Sequence, residues 1–154
     1  ASGYTVSREL SGRPRGKLAV RAAQLLGSEM REVRPRGHVH VVYKIGARIG
    51  PFECTAYRRF SEFIRLHAEL RRAYPAHKVA CAARLGESQK AISSKLAPHR
   101  HVEGRVALLQ LYCHQLCAHA DLARSDIAIA FFWPSSERGD GLVIAPDGST
   151  ASIT

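Results

Sequence analysis

The chain has 154 residues and a mass of 16.9 kDa, a length that suits one domain, and 45% hydrophobic with 23% charged residues suits a globule with a substantial core. No apolar run approaches the roughly 18 residues that span a bilayer, and the opening residues, ASGYTVSREL, lack the apolar segment of a secretory signal, so the four cysteines at 54, 81, 113 and 117 are expected to be reduced thiols in the cytosol. Arginine and lysine number 23 (18 Arg, 5 Lys) against 13 acids, giving a net charge of +10 and a pI near 10.0, a surface that favours polyanions such as nucleic acid, an anionic membrane or a phosphorylated headgroup.

Residues 11–15, SGRPR, read as a loop closing an N-terminal extension over residues 1–16. Residues 17–26 place Leu18, Val20 and Ala22 on one side, as a strand does. The polar stretch 27–37, broken by Gly27, Pro35 and Gly37, reads as a loop. Residues 38–45, HVHVVYKI, set Val39, Val41, Tyr43 and Ile45 on one face and form the clearest strand in the chain. GARIGP makes a turn, and residues 52–59 return. These segments predict a three-stranded antiparallel meander.

A helix is predicted next, with Ser61 as its N-cap and Phe63, Leu66, His67 and Leu70 at helical spacing, ending at Pro75. Residues 75–104 read as a long, irregular basic loop with a short helix at 88–95, and a loop of that length in a compact domain is usually functional or disordered. Leu108, Leu109, Tyr112 and Leu116 mark a second helix from Arg105. A third begins at Asp121, carries Leu122, Ile127, Ile129, Phe131 and Phe132, and stops at Pro134. The tail, residues 134–154, contains Pro146-Asp147-Gly148 between two apolar stretches, the composition of a tight turn in a β-hairpin. The predicted class is therefore α+β: a three-stranded meander on a helical subdomain of about three helices, with the basic loop between the first two.

The join between third strand and first helix reads RRFSEF, residues 58–63. Two adjacent guanidiniums repel each other, and an arginine at a strand end offers a planar fork of donors that matches a phosphate bidentately. Strand alternation sends Arg58 and Arg59 to opposite faces, so only one can enter a given pocket. This join resembles the phox-homology (PX) signature Arg-Arg-Tyr/Phe-Ser-Asp/Glu-Phe. RVALLQLYCHQL, residues 105–116, is similar to that family's Arg-x-x-x-Leu-x-x-Tyr-x-x-x-Leu helix, and Phe131-Phe132 matches its terminal aromatic pair. The resemblance covers residues 17–133.

The resemblance implies a phosphoinositide-binding, membrane-targeting module with phosphatidylinositol 3-phosphate as the ligand. It assigns Arg59 to the 3-phosphate, Phe60 to the floor beneath the inositol ring, and Arg105 to the free 4- and 5-hydroxyls. A lysine of the long loop would meet the 1-phosphate. The family's Pro-Pro-Lys stretch is missing here, and Lys90 is the candidate, with Lys95 and Lys78 as alternatives. Arg58 is then expected to be structural or peripheral, with a further headgroup contact as its alternative role. Lys78, Val79, Arg84 and Leu85 are expected to form a basic, apolar membrane-contacting loop. The resemblance also implies a cytoplasmic protein peripheral on endosomal or other phosphoinositide-containing membranes, with phosphoinositides and the anionic membrane surface as partners and protein partners left open.

Other constellations rank lower. Cys113, His114, Cys117 and His119 suggest zinc, but Cys-x3-Cys on a helix without a second pair reads better as core thiols, and no metal or cofactor is expected. The chain has no Gly-x-Ser-x-Gly elbow, no phosphate-loop glycine motif and no paired carboxylates, which argues against an enzyme. Nucleic-acid binding would call for aromatics interleaved with basic residues on an open sheet face, whereas Tyr43 and Tyr57 sit singly in hydrophobic alternation, so no nucleic acid is expected. The alternative is a PX-like protein-interaction scaffold with weak lipid affinity. His77, His99 and His101 flank the long loop and are expected to titrate near the membrane.

Overall fold

The computed structural model describes residues 18–33, 38–92, 102–135 and 141–153. A five-stranded antiparallel sheet runs in simple sequence order: β1 (Val20–Val33), β2 (His38–Ile49), β3 (Phe52–Arg59), β4 (Gly141–Ile144) and β5 (Thr150–Ile153). Between β3 and β4 the chain makes five helices among the described residues: α1 (Phe60–Ala73), α2 (Ala82–Ile92), α3 (Val102–Ala118), α4 (Ala120–Ala123) and α5 (Asp126–Phe132). The α+β class is as expected, but among the described residues the sheet has five strands, not the three of the expected meander, and there are five helices where about three were expected.

Alternation decides which face of the sheet is buried. The register pairs Tyr43 with Arg58, Ile45 with Ala56, Ala47 with Cys54 and Ile49 with Phe52, and all eight residues are buried. This face packs with Phe63, Leu66 and Leu70 of α1, Leu109, Tyr112 and Leu116 of α3, and Phe131 and Phe132 of α5 in one continuous core. The C-terminal hairpin extends the same face: Val143 pairs with Cys54 and is fully buried.

β1 runs well past the boundary read from sequence, through residues 27–33, which were expected to be a loop. Its continuation has polar side chains because β2 supplies the backbone partners while that end stands in solvent. The register slips between Leu25 and Gly27, and the Leu25 N–H at the slip donates instead to Gln110 Oε1 of α3 at 2.7 Å. A polar side chain from the helix thus satisfies a backbone donor at the irregularity. At the β2–β3 turn, Gly50 adopts φ 54°, and a Cβ there would meet Leu18 Cδ2 at 2.5 Å. Both facts favour glycine.

Helix boundaries also differ from the sequence reading. The N-cap of α1 is Arg59, not Ser61: Arg59 keeps extended backbone (φ −81°, ψ 158°), and its N–H donates to Glu62 Oε1 at 2.9 Å. The last residue of the strand therefore doubles as the cap of the helix, with Glu62 reaching back from the third helical position. α2 begins at Ala82 within the stretch expected to be irregular, because Val79, Cys81 and Leu85 are core residues that anchor it, and the Cys81 N–H donates to Gln115 Oε1 at 2.9 Å. The single last helix expected from Asp121 is two. Ser125 interrupts it and caps α5, with its Oγ accepting from the Ala128 N–H at 3.1 Å.

Candidate functional site

At the β3–α1 join a cleft of about 280 Å³ opens between the sheet and α3. Arg59, Phe60 and Ser61 form one wall, Val102 and Arg105 of α3 another, and Met30 of β1 with Val39, His40, Val41 and Tyr43 of β2 the third. Three residues singled out in the sequence, Arg59, Phe60 and Arg105, are brought together here although 45 positions separate Phe60 from Arg105 in the numbering.

Arg105 is held in place from two sides. Its guanidinium carbon lies 3.8 Å from the centroid of the Phe60 ring, a cation–π stack. On α2, Ser88 Oγ accepts from Arg105 Nε at 3.2 Å and the Ser88 carbonyl accepts from Nη2 at 3.1 Å. Such a clamp fixes the planar fork before any ligand arrives, so less side-chain entropy is lost on binding. Burial lowers the pKa of Arg105 from its ordinary value, with Tyr43 opposing. Burial raises that of Tyr43, with Arg105 opposing. The Tyr43 hydroxyl is buried against the cleft and meets no hydrogen-bond partner of good geometry among the described residues. Arg59, in contrast, is exposed at the cleft, and none of the ion pairs among the described residues includes it.

Arg58 is elsewhere. It is fully buried on the face of β3 opposite Arg59 and does not line the cleft, the structural position expected of it, which corrects only its alternative role as a headgroup contact. Its Nε donates to the Phe131 carbonyl at 2.9 Å, Nη2 to the Trp133 carbonyl at 2.9 Å and Nη1 to the Tyr57 carbonyl at 2.7 Å. An arginine in the core is tolerable because backbone carbonyls at the end of α5 satisfy it, and they carry the negative end of that helix.

The expected membrane loop is corrected in part. Val79 is 6% exposed and Leu85 2%, and both pack in the core, so neither is available to enter a bilayer. Lys78 and Arg84 are exposed. Lys90 falls within α2, its side chain outside the described set, and Lys95, His99 and His101 lie outside the described residues. His77 is paired with Asp121, Nε2 to Oδ2 at 2.9 Å. Cys113 and Cys117, expected to be core thiols, are buried and half-buried, and burial pushes the Cys117 thiol up to about 11 and that of Cys54 on β3 up to about 12.

Sequence reading missed His40, Tyr43, Ser88, Met30 and Val39. The HVHVV pattern was read for its apolar face only, and the alternate residue His40 carried the missed signal. Met30 and Val39, 55% and 56% exposed beside the cleft, are large apolar side chains left in solvent.

The sequence model of the PX domain family matches residues 48–135, over half of the chain, and the chain belongs to that family. Among solved structures it is similar to a designed CISK-PX domain, at 26% identity and TM-score 0.53 over 71% of this chain and 96% of that one. It shares the fold of the mouse SNX19 PX domain with bound sulphate ion, at 22% identity and TM-score 0.51 over 75% of this chain and 96% of that one. No curated protein matches it. PX domains are generally phosphoinositide-binding, membrane-targeting modules, typically without enzymatic activity, and membership implies peripheral membrane association. Among the described residues no helix is long and apolar enough to cross a membrane.

Proposed function

We propose that this domain binds phosphatidylinositol 3-phosphate on endosomal or other membranes that carry it, through the cleft at the β3–α1 join. The observation that carries the reading is the pairing of two differently prepared arginines in one cleft: Arg59 exposed and outside the ion pairs of the described residues, Arg105 stacked on Phe60 and clamped by Ser88. Arg59 receives the 3-phosphate, the Phe60–Arg105 stack lies along the inositol ring, and the Arg105 fork reads the 4- and 5-hydroxyls. A phosphate at either of those positions would crowd the clamped guanidinium. Lys90 meets the 1-phosphate. The Tyr43 hydroxyl, buried beside Arg105, offers a further polar contact in the cleft.

Met30 and Val39 enter the interface from the rim of the cleft, taking the apolar role first expected of Val79 and Leu85, and Lys78 and Arg84 contribute charge. The test is vesicle sedimentation across the full set of phosphoinositides, with Arg59→Ala as the control and circular dichroism to check the fold. Selective sedimentation with phosphatidylinositol 3-phosphate, lost in Arg59→Ala, is expected. Equal sedimentation of the folded variant and wild type would overturn the assignment, and absence of lipid binding by wild type would leave a protein-interaction scaffold.

A further inference from the structure

The strand registers place a third nitrogen base beside the phosphate position. His40 pairs directly with Arg31 of β1, and Val42 pairs with Arg59 of β3. Because residues alternate, Arg31, His40 and Arg59 share one face of three neighbouring strands. His40 and Arg59 are diagonal cross-strand neighbours, about 7–8 Å apart by Cα, a spacing that one phosphate can bridge. Both line the same cleft. We infer that His40 is a phosphate-facing residue of this cleft that is neutral in the free protein and takes up a proton when a phosphate monoester dianion binds. The inference rests on the headgroup reading above.

The charge surroundings support that assignment. The charged groups around His40 are Arg31 of β1, Arg59 of β3 and Glu62 of α1, with Glu29 of β1 on the same sheet face; Arg105 sits beside Tyr43, which alternation places on the other face. Arg31 is a fixed charge: its guanidinium lies 4.3 Å from the Tyr57 ring centroid, and its Nε donates to Glu29 Oε2 at 3.3 Å. Glu62 is engaged by the Arg59 N–H. Burial, then Arg59 and Arg31, hold His40 below the ordinary histidine value, and Glu62 opposes them more weakly. A bound dianion neutralises the two arginines and adds a direct acceptor, so all three changes favour the imidazolium. By linkage, affinity rises as pH falls through the bound-state pKa and levels off below the lower pKa of the free protein. The consequence is a headgroup cleft that tightens on mild acidification by recruiting a cation from within its own wall.

The experiment is calorimetric titration of the soluble dibutanoyl form of phosphatidylinositol 3-phosphate at pH 6.0 and 7.4, in two buffers of different ionisation enthalpy, which counts protons taken up on binding. His40→Gln gives the baseline, including the proton that the phosphate itself loses near its second pKa of about 6. Wild type should take up more protons than His40→Gln at pH 6.0 and gain several-fold more affinity between pH 7.4 and 6.0. His40→Lys should bind more tightly than wild type at pH 7.4 and show no extra uptake. Equal proton counts in wild type and His40→Gln, with wild type still binding, overturn the role of His40 and leave the headgroup assignment standing. No binding by folded wild type at either pH overturns both.

Discussion

Nη2 of the buried Arg58 donates to the Trp133 carbonyl at 2.9 Å, and this bond ties the central strand β3 to the end of the last helix, α5. With the bonds to the Phe131 and Tyr57 carbonyls, it makes Arg58 a structural cross-link. Arg59, one residue on, faces the opposite way. The two arginines of RRFSEF should therefore separate cleanly by experiment. Arg58→Met leaves buried carbonyls without donors and should cost on the order of 3–5 kcal/mol of stability in urea denaturation. Arg59→Ala should change stability by less than about 0.5 kcal/mol, while losing about 2–5 kcal/mol of headgroup binding.

The clamp on Arg105 predicts that lysine is no substitute. Arg105→Lys keeps the charge but loses the planar stack on Phe60 and the two-nitrogen contact with Ser88. It should weaken binding of the soluble headgroup by about tenfold or more, roughly 1.4 kcal/mol. Ser88→Ala frees the guanidinium from its Oγ contact only, and should have a smaller effect in the same calorimetric assay. If the Arg105→Lys variant binds as wild type does, the pre-organised stack drops out of the explanation.

The sequence places Leu85 in a membrane-contacting loop and Val39 on the apolar face of a strand, yet Leu85 is buried in the core and Val39 stands in solvent. Leu85→Ala should lower stability by about 2–5 kcal/mol, with soluble-headgroup affinity unchanged in the folded fraction. Val39→Ser should leave the melting temperature nearly unaltered and the soluble-headgroup affinity unchanged, but reduce sedimentation with vesicles. The comparison of vesicle and soluble ligand separates bilayer contact from headgroup contact.

His67 supplies a pH dependence of stability distinct from that of binding. Burial, and secondarily Arg71, hold its pKa below the ordinary 6.5, and its Nδ1 lies 3.1 Å from the Tyr112 hydroxyl, itself kept protonated by burial. The neutral imidazole is the native form. Its contribution is fully present above the unfolded-state value and is lost as pH falls from there toward the lower folded value. Urea midpoints should therefore fall between pH 7.5 and 5.5, and His67→Gln, which does not titrate, should show a shallower fall. An unchanged slope would remove His67 as its source.

The parts legible in the sequence were those where local pattern and tertiary environment agree. The inward alternation of β2 and β3, the apolar stripe of α1 and the RRFSEF join all carried their signal in a few adjacent residues. The rest depended on distant partners. The polar residues after Gly27 become strand because β2 offers hydrogen bonds, and nothing in SEMREV reveals that. Ser88 clamps Arg105 only because α2 folds across α3. Ser125 breaks the last helix by capping a new one, and the apolar spacing from Leu122 to Phe132 does not mark the break.

The β3–β4 pairing has a consequence for how the chain reaches this fold. Glu53 pairs with Ile144 and Cys54 with Val143, partners that lie on either side of the entire helical segment in the chain. Closing so large a loop costs entropy before the pairing returns any stabilisation, so this ladder belongs to the late, slow part of folding. On the ribosome, β3 would remain a bare edge until residues 141–153 have emerged. A fragment cut at the limits of the family match, 48–135, would lose β1, most of β2 and the cover of β3, leaving exposed backbone donors and acceptors ready to pair with another chain. The smallest independently folding unit is therefore longer at both ends than the segment by which the family is recognised.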